Sequence, residues 1–304
     1  MQTCHLKHSL SGLVSIDWSD DKENQQLTPD SPILAILHTL TGDSEHYLGF
    51  MRYATSLGWR SCVLNRRGHS GMPLRTPNFC VIGNVDDTVA MVSRIRQLYP
   101  DNFLGLAGIS AGSGQVVSFA GREGDRAGID VLASLCPAWN LEDAFVKLHQ
   151  SHPRLDAWLT RGLQDYFVNR PDNQEVFEGL EDVVDKVNQA SSIDEFMRAA
   201  YPLAGCLSYE QFLKEYNPMN YISGMKTPTL VLNALDDFVS LRENIDSDLV
   251  EGDTVEQVVL VVTKQGGHIA YNEANGGSYM WRLTMNFFEG VRREIRKQNG
   301  IVDS

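Results

Sequence analysis

A serine hydroxyl is a weak nucleophile at neutral pH. It becomes a strong one when a neighbouring base takes its proton and an acid holds that base in place. This 304-residue chain carries those residue types in a usable order. First comes Gly108-Ile109-Ser110-Ala111-Gly112, a G-x-S-x-G pattern directly after the apolar run Phe103 to Ala107. Next is the acidic pair in Leu235-Asp236-Asp237, and last Gly266-Gly267-His268. In such a set Ser110 attacks, His268 is the base, and either Asp236 or Asp237 fixes the imidazole tautomer. Each part has a blander reading. Glycine-rich strand–helix turns are common, a histidine beside two glycines can lie on the surface, and adjacent carboxylates can form a solvated turn. The order serine, acid, histidine joins them into one chemistry, acyl transfer through a covalent intermediate.

Positioning that set requires a sheet whose carboxyl edge gathers all three residues. Phe103 to Gly108 reads as a strand and Gln115 to Ala120 as helix, so Ser110 falls on a sharp turn relieved by small neighbours. Thr229 to Asn233 and Val258 to Val262 read as later strands, returning the acids and His268 to the same edge. Upstream, Val14 to Trp18 alternates like an edge strand and Ser19 to Asn24 is a polar turn. Pro32 to His38 is a continuous apolar run, the pattern of a strand buried on both faces. Glu45 to Leu57 has helical spacing with Gly58 as its stop, and Trp59 to Asn65 is a strand. Asn84 to Leu98 is a helix with acids in its first turn and arginines in its last, and Ile129 to Leu135 is a strand. This alternation implies the α/β class, with a mostly parallel central sheet flanked by helices. The rhythm breaks at about 137–218, an aromatic-rich stretch without a convincing strand, and a final helix runs from Ser278 to about Lys297. The expectation is a single domain over 1–304, with 137–218 a helical cap inserted within it.

Acyl transfer also needs two N–H donors aimed at the oxygen that becomes negative. The amide of Ala111, directly after the nucleophile, supplies one. The loop His38-Thr39-Leu40-Thr41-Gly42 offers the second, with Leu40 its candidate. His38 and Thr39 on that loop, and Trp139 among the cap aromatics, are candidate substrate-binding residues. Arg66-Arg67-Gly68-His69 could bind an anionic group, but Arg67 reads better as a loop anchor with five donors to place. His149 and His152 precede Pro153 with no third ligand in sight, so no metal is expected.

Five stretches occur in order: His38-x-Leu40-Thr41-Gly42, Asn65-x-Arg67-Gly68-x-Ser70-Gly71, Gly108-x-Ser110-x-Gly112, Asn233 to Asp237, and Gly267-His268. Together they resemble the YheT-like branch of the α/β-hydrolases (hydrolase family 4), over about Val14 to Phe288. The resemblance implies the α/β-hydrolase fold and a carboxylester hydrolase or acyltransferase for medium- to long-chain acyl esters, some relatives being phospholipases. It assigns the acid role to Asp237. Three departures stand out: Thr39 where the family has glycine, Ser113 in place of the glycine after Gly112, and Phe238 in place of a proline. A β-branched residue at Thr39 is expected to disturb the oxyanion loop, giving weak activity on generic esters and a narrower natural substrate.

Composition bounds the partners. A 42% hydrophobic content supports a large core. A net charge of −13 argues against affinity for nucleic-acid backbones or anionic membranes. The five cysteines are scattered with no C-x-x-C pair, and Cys62, Cys80 and Cys136 sit in apolar surroundings, which fits a reducing compartment. Met1 to Gly12 has no continuous apolar run of the signal-peptide kind, and no stretch of about 18 consecutive apolar residues occurs. These features describe a soluble cytoplasmic protein whose partner is a small-molecule ester of lipid-like kind, with no cofactor, no metal and no nucleic acid. The rival readings are acyl transfer, lyase or cyclising chemistry by the same triad, and a binding protein that kept the fold without catalysis.

Overall fold

The structure is a computed structural model that describes residues 2–7, 12–19, 27–79, 82, 84–245 and 257–300. Cys80 and most of the polar turn expected at 19–24 lie outside the described residues. Eight strands form one sheet: β1 (Gln2–Lys7), β2 (Leu13–Trp18), β3 (Ile33–Leu37), β4 (Arg60–Asn65), β5 (Leu104–Ile109), β6 (Val131–Leu135), β7 (Thr229–Ala234) and β8 (Val258–Thr263). Their order is β1-β2-β4-β3-β5-β6-β7-β8. The β1–β2 and β2–β4 pairings are antiparallel and the remaining ones are parallel.

Strands β3 to β7 are buried at every position; β3 and β5 carry no polar side chain, whereas β4, β6 and β7 also bury Arg60, Ser61, Asn65, Ser134, Thr229 and Asn233. β8 lies at one edge and leaves Val259 and Val262 exposed. The expectation of an edge strand at Val14 to Trp18 is corrected: β2 is covered by β1, and its polar positions are buried. Asn65 Nδ2 donates to Ser15 Oγ at 3.1 Å and to Asp17 Oδ2 at 2.8 Å, and the Ser44 hydroxyl donates to the same Asp17 oxygen at 2.6 Å.

Helices cover both faces. On one, α2 (Asp86–Leu98) and α3 (Ala111–Glu123) bury Met91, Ile95, Val116 and Phe119 against Ile33, Ala35 and Leu37. On the other, α1 (Leu48–Ser56) and α9 (Tyr279–Gln298) bury Phe50, Met51, Met285 and Phe288 against Leu34, Ile36 and Leu232. The helix expected over Glu45 to Leu57 is divided. A 3₁₀ turn over Ser44–Tyr47, capped by the Asp43 carboxylate, leads into α1.

Between β6 and β7 the chain is helical: α4 (Leu141–Ser151), α5 (Pro153–Leu163), α6 (Glu181–Gln189), α7 (Ile193–Ala200) and α8 (Tyr209–Tyr216). Side-chain oxygens of Asn140, Ser192 and Ser208 cap three of them. This segment has its own apolar core, in which Leu163, Phe167, Phe196 and Leu203 pack with Leu74 and Phe79. No helix among the described residues is long and apolar enough to cross a membrane.

Candidate active site

Ser110 occupies the single residue between β5 and α3, with φ 54° and ψ −115°. Few non-glycine residues hold such angles without surrounding structure to enforce them. The enforcement is visible. The Ser110 amide donates to the Leu135 carbonyl at 2.8 Å, and both the amide (2.9 Å) and the hydroxyl of Ser113 donate to the Ser110 carbonyl. A β-carbon at Gly108 would stand 2.2 Å from the Gly112 carbonyl oxygen, and one at Gly112 would stand 2.4 Å from that of Leu37. Both glycines are therefore required by close backbone approach.

The loops after β7 and β8 bring the other residues to the serine. His268 Nε2 lies 2.7 Å from Ser110 Oγ, and His268 Nδ1 lies 3.1 and 2.9 Å from the two carboxylate oxygens of Asp237. One tautomer satisfies the set: the serine hydroxyl donates to Nε2, and Nδ1–H donates to Asp237. The Asp237 carboxylate is buried and accepts the amides of Val239 and Ser240, each at 2.8 Å, which fixes its orientation. Asp236 does something else. Its Oδ1 accepts the amides of Gly266 and Gly267, each at 2.9 Å, and so ties down the loop that carries His268.

Leu40 and Ala111 line the same pocket as Ser110, and neither amide has an intramolecular acceptor among the described residues. The conflict expected at Thr39 is absent from the backbone, because Thr39 is not among the described non-glycine residues with positive φ. Its amide donates to Tyr47 Oη at 2.9 Å and its carbonyl accepts from Arg66 Nη2 at 2.6 Å, so an ordinary conformation suffices.

The expectation that His38 binds substrate is corrected. His38 is fully buried, does not line the pocket, and packs its ring 4.4 Å from that of His69 with Arg66 beside both. Burial, and then the Arg66 charge, push the pKa of both rings well below the usual histidine value, so they are neutral. Thr39 and Trp139 do line the pocket, and Trp139 is buried with φ 54°. Arg67 is taken up by Asp87: its Nε lies 2.9 and 3.1 Å from the two carboxylate oxygens, and Nη2 lies 2.6 Å from Oδ1. His149 Nδ1 lies 2.8 Å from Asp156 Oδ2, and no cluster of metal-ligating side chains occurs among the described residues.

The pocket measures about 290 Å³. Ser110 and His268 stand against walls formed by Leu141, Phe145, Leu159, Ile193 and Pro218, all five from the segment between β6 and β7. Such a site can attack a carbonyl carbon, shelter an apolar chain and keep bulk water away from it.

The chain matches the family model described as Hydrolase_4, serine aminopeptidase S33, over residues 28–275. It belongs to that family. The chain is 28% identical over 296 residues to Phospholipase ABHD3 of Bos taurus, covering 94% of this chain and 71% of that one. It is also 25% identical over 297 residues to Medium-chain fatty acid ethyl ester synthase/esterase 2 of Saccharomyces cerevisiae, with coverages of 88% and 64%. Among solved structures, the Pyrococcus furiosus esterase Pf2001 superposes with a TM-score of 0.60 at 15% identity, covering 96% of this chain and 89% of that chain. The enol-lactonase of Burkholderia xenovorans gives 0.57 at 15% identity, with coverages of 94% and 100%. At those identities the likeness speaks for the fold, and the fold is that of the α/β-hydrolases.

Within this hydrolase family member, several residues that shape the site carried no separable sequence signal. Arg66 and His69 sit in a motif whose visible feature is Arg67-Gly68, and Tyr47 lies in a helical pattern. Ser240, whose hydroxyl donates to the Cys136 carbonyl at 2.9 Å, looks like any polar loop residue.

Proposed function

We propose that the protein is a serine carboxylester hydrolase that cleaves lipid-like acyl esters through an acyl-enzyme. The observation that carries this reading is the continuous chain from Ser110 Oγ through His268 to the buried Asp237 carboxylate, set in an apolar pocket. Ser110 attacks the acyl carbon while His268 Nε2 takes its proton, and the carbonyl oxygen gains charge opposite the Leu40 and Ala111 amides. His268 then returns the proton to the departing alkoxide, leaving an ester on Ser110. Water, deprotonated by the same imidazole, releases the acid.

An apolar pocket beside the nucleophile fits an acyl chain, and the names of the relatives, a phospholipase and a fatty acid ethyl ester synthase/esterase, support a lipid-like ester. Assignment to the YheT-like branch belongs to the same reading and rests on Arg67-Gly68 and the Asp236-Asp237 pair. So does the description of 137–218 as a cap inserted in a single domain, which its separate apolar core supports. A reducing, cytoplasmic setting fits the free thiols of Cys4, Cys62, Cys136 and Cys206.

Hydrolysis of p-nitrophenyl esters of increasing acyl length tests the reading. The parent should favour chains long enough to fill the pocket, and Ser110→Ala should lose activity by about 10⁶-fold, as other triad nucleophile knockouts do. Undiminished hydrolysis by the alanine variant would remove Ser110 from the mechanism.

A further inference from the structure

The peptide between Thr39 and Leu40 is gripped from one side. Its carbonyl oxygen lies 2.6 Å from Arg66 Nη2 and 2.9 Å from His38 Nδ1, and the Gly42 amide donates to it at 3.4 Å. Arg66 Nη2 also donates to the His38 carbonyl at 3.3 Å, and the whole residue is buried. The Arg66 backbone amide points at His38 Nε2 at 3.4 Å, and Arg66 Nη2 lies 2.9 Å from His38 Nδ1, so one arginine contacts the ring at both nitrogens. The next carbonyl along, that of Leu40, lies 3.1 Å from His69 Nε2, and His69 packs against the same guanidinium.

No described peptide bond is cis, and in a trans peptide the C=O and N–H vectors point in opposite directions. Drawing the Thr39 oxygen towards Arg66 therefore turns the Leu40 hydrogen away from Arg66, and Leu40 lines the pocket with Ser110 and Ala111. Charge acts together with geometry. A cation held against a peptide oxygen withdraws electron density from the nitrogen, and the N–H becomes a better donor. Both effects converge on one bond.

The geometry points to Arg66 as a positioning residue of the oxyanion hole, whose guanidinium orients and polarises the Thr39–Leu40 peptide so that the Leu40 amide binds the charge developing on the substrate carbonyl oxygen. The inference rests on the serine-hydrolase reading above and deepens it. It also gives the Thr39 departure a physical setting, since the loop is shaped by a buried cation beneath it and needs no glycine-only angles.

The test compares the parent with Arg66→Met and Arg66→Lys on an ester and on the matching thionoester. Sulfur is a weak hydrogen-bond acceptor, so the thionoester gains little from the hole. For Arg66→Met, kcat on the ester should fall about 10²–10³-fold, the loss expected for one oxyanion donor. KM should stay within a few-fold, and the thionoester rate should change far less. Arg66→Lys keeps a charge but not the planar fork, and should recover part of the ester rate. Equal losses on the two substrates, or an ester kcat within a few-fold of the parent in folded Arg66→Met, would overturn the inference. Should Arg66→Met fail to fold by circular dichroism, the ester-to-thionoester ratio of Arg66→Lys decides, and an unchanged ratio overturns it. Failure of the underlying serine-hydrolase reading shows elsewhere, as ester hydrolysis that survives Ser110→Ala.

Discussion

At the scale of single residues, Asp236 and Asp237 show how neighbours of identical chemistry take different work. The Asp237 carboxylate faces His268 Nδ1, whereas Asp236 faces two loop amides. Asp237→Asn should therefore lower kcat by about 10⁴-fold, because an amide in that place favours the wrong imidazole tautomer. Asp236→Asn should cost much less, by loosening the turn under His268. Steady-state kinetics of the two variants checks the ranking, and a reversed order would assign the acid role to Asp236. Thr39 makes a second residue-scale test. Its backbone lies outside the left-handed region and its carbonyl is held by Arg66, so Thr39→Gly should leave kcat on simple esters within a few-fold of the parent. A gain of about 10²-fold in the glycine variant would show instead that threonine displaces the hole.

At the scale of elements, the strand-to-helix turn was legible because its constraint is written in residue types. The Gly108 and Gly112 positions have no room for a β-carbon against backbone oxygens, and glycine is the only residue that lacks one. Central strands were legible for a related reason, since burial on both faces favours apolar residues along them. Edges were not. β1 is mixed in composition, so nothing marked Gln2–Lys7 as the strand that covers β2. The second oxyanion donor was placed at Leu40 by motif, but the groups that aim it were invisible. His38 meets Arg66 and His69 only when the ends of β3 and β4 lie side by side, since 28 residues separate it from Arg66. His38 was misread as a substrate contact because a polar residue beside an oxyanion loop faces either the pocket or the core, and sequence alone does not separate the two.

At the scale of the whole molecule, the sheet sets the edge that carries Ser110, and the segment between β6 and β7 supplies most of the apolar walls over it. Stability of that assembly is tied to pH through the buried pair under the oxyanion loop. Folding keeps His38 and His69 neutral by lowering their pKa, whereas the unfolded chain binds protons at both below about pH 6.5. The stability they contribute is thus present above that value and is lost as pH falls towards their folded pKa values, by up to about 1.4 kcal/mol per pH unit for each. Urea midpoints at pH 7.5 and 5.5 should show this loss, and His69→Gln should reduce it relative to the parent; an identical pH dependence in the variant would remove His69 from the account. The central claim, that this fold activates one serine, is tested most directly by intact-mass analysis after incubation with a fluorophosphonate. A single adduct should form on the parent, mapped to Ser110, and none on Ser110→Ala. A parent that stays unmodified, or an adduct that persists in the alanine variant, would contradict it.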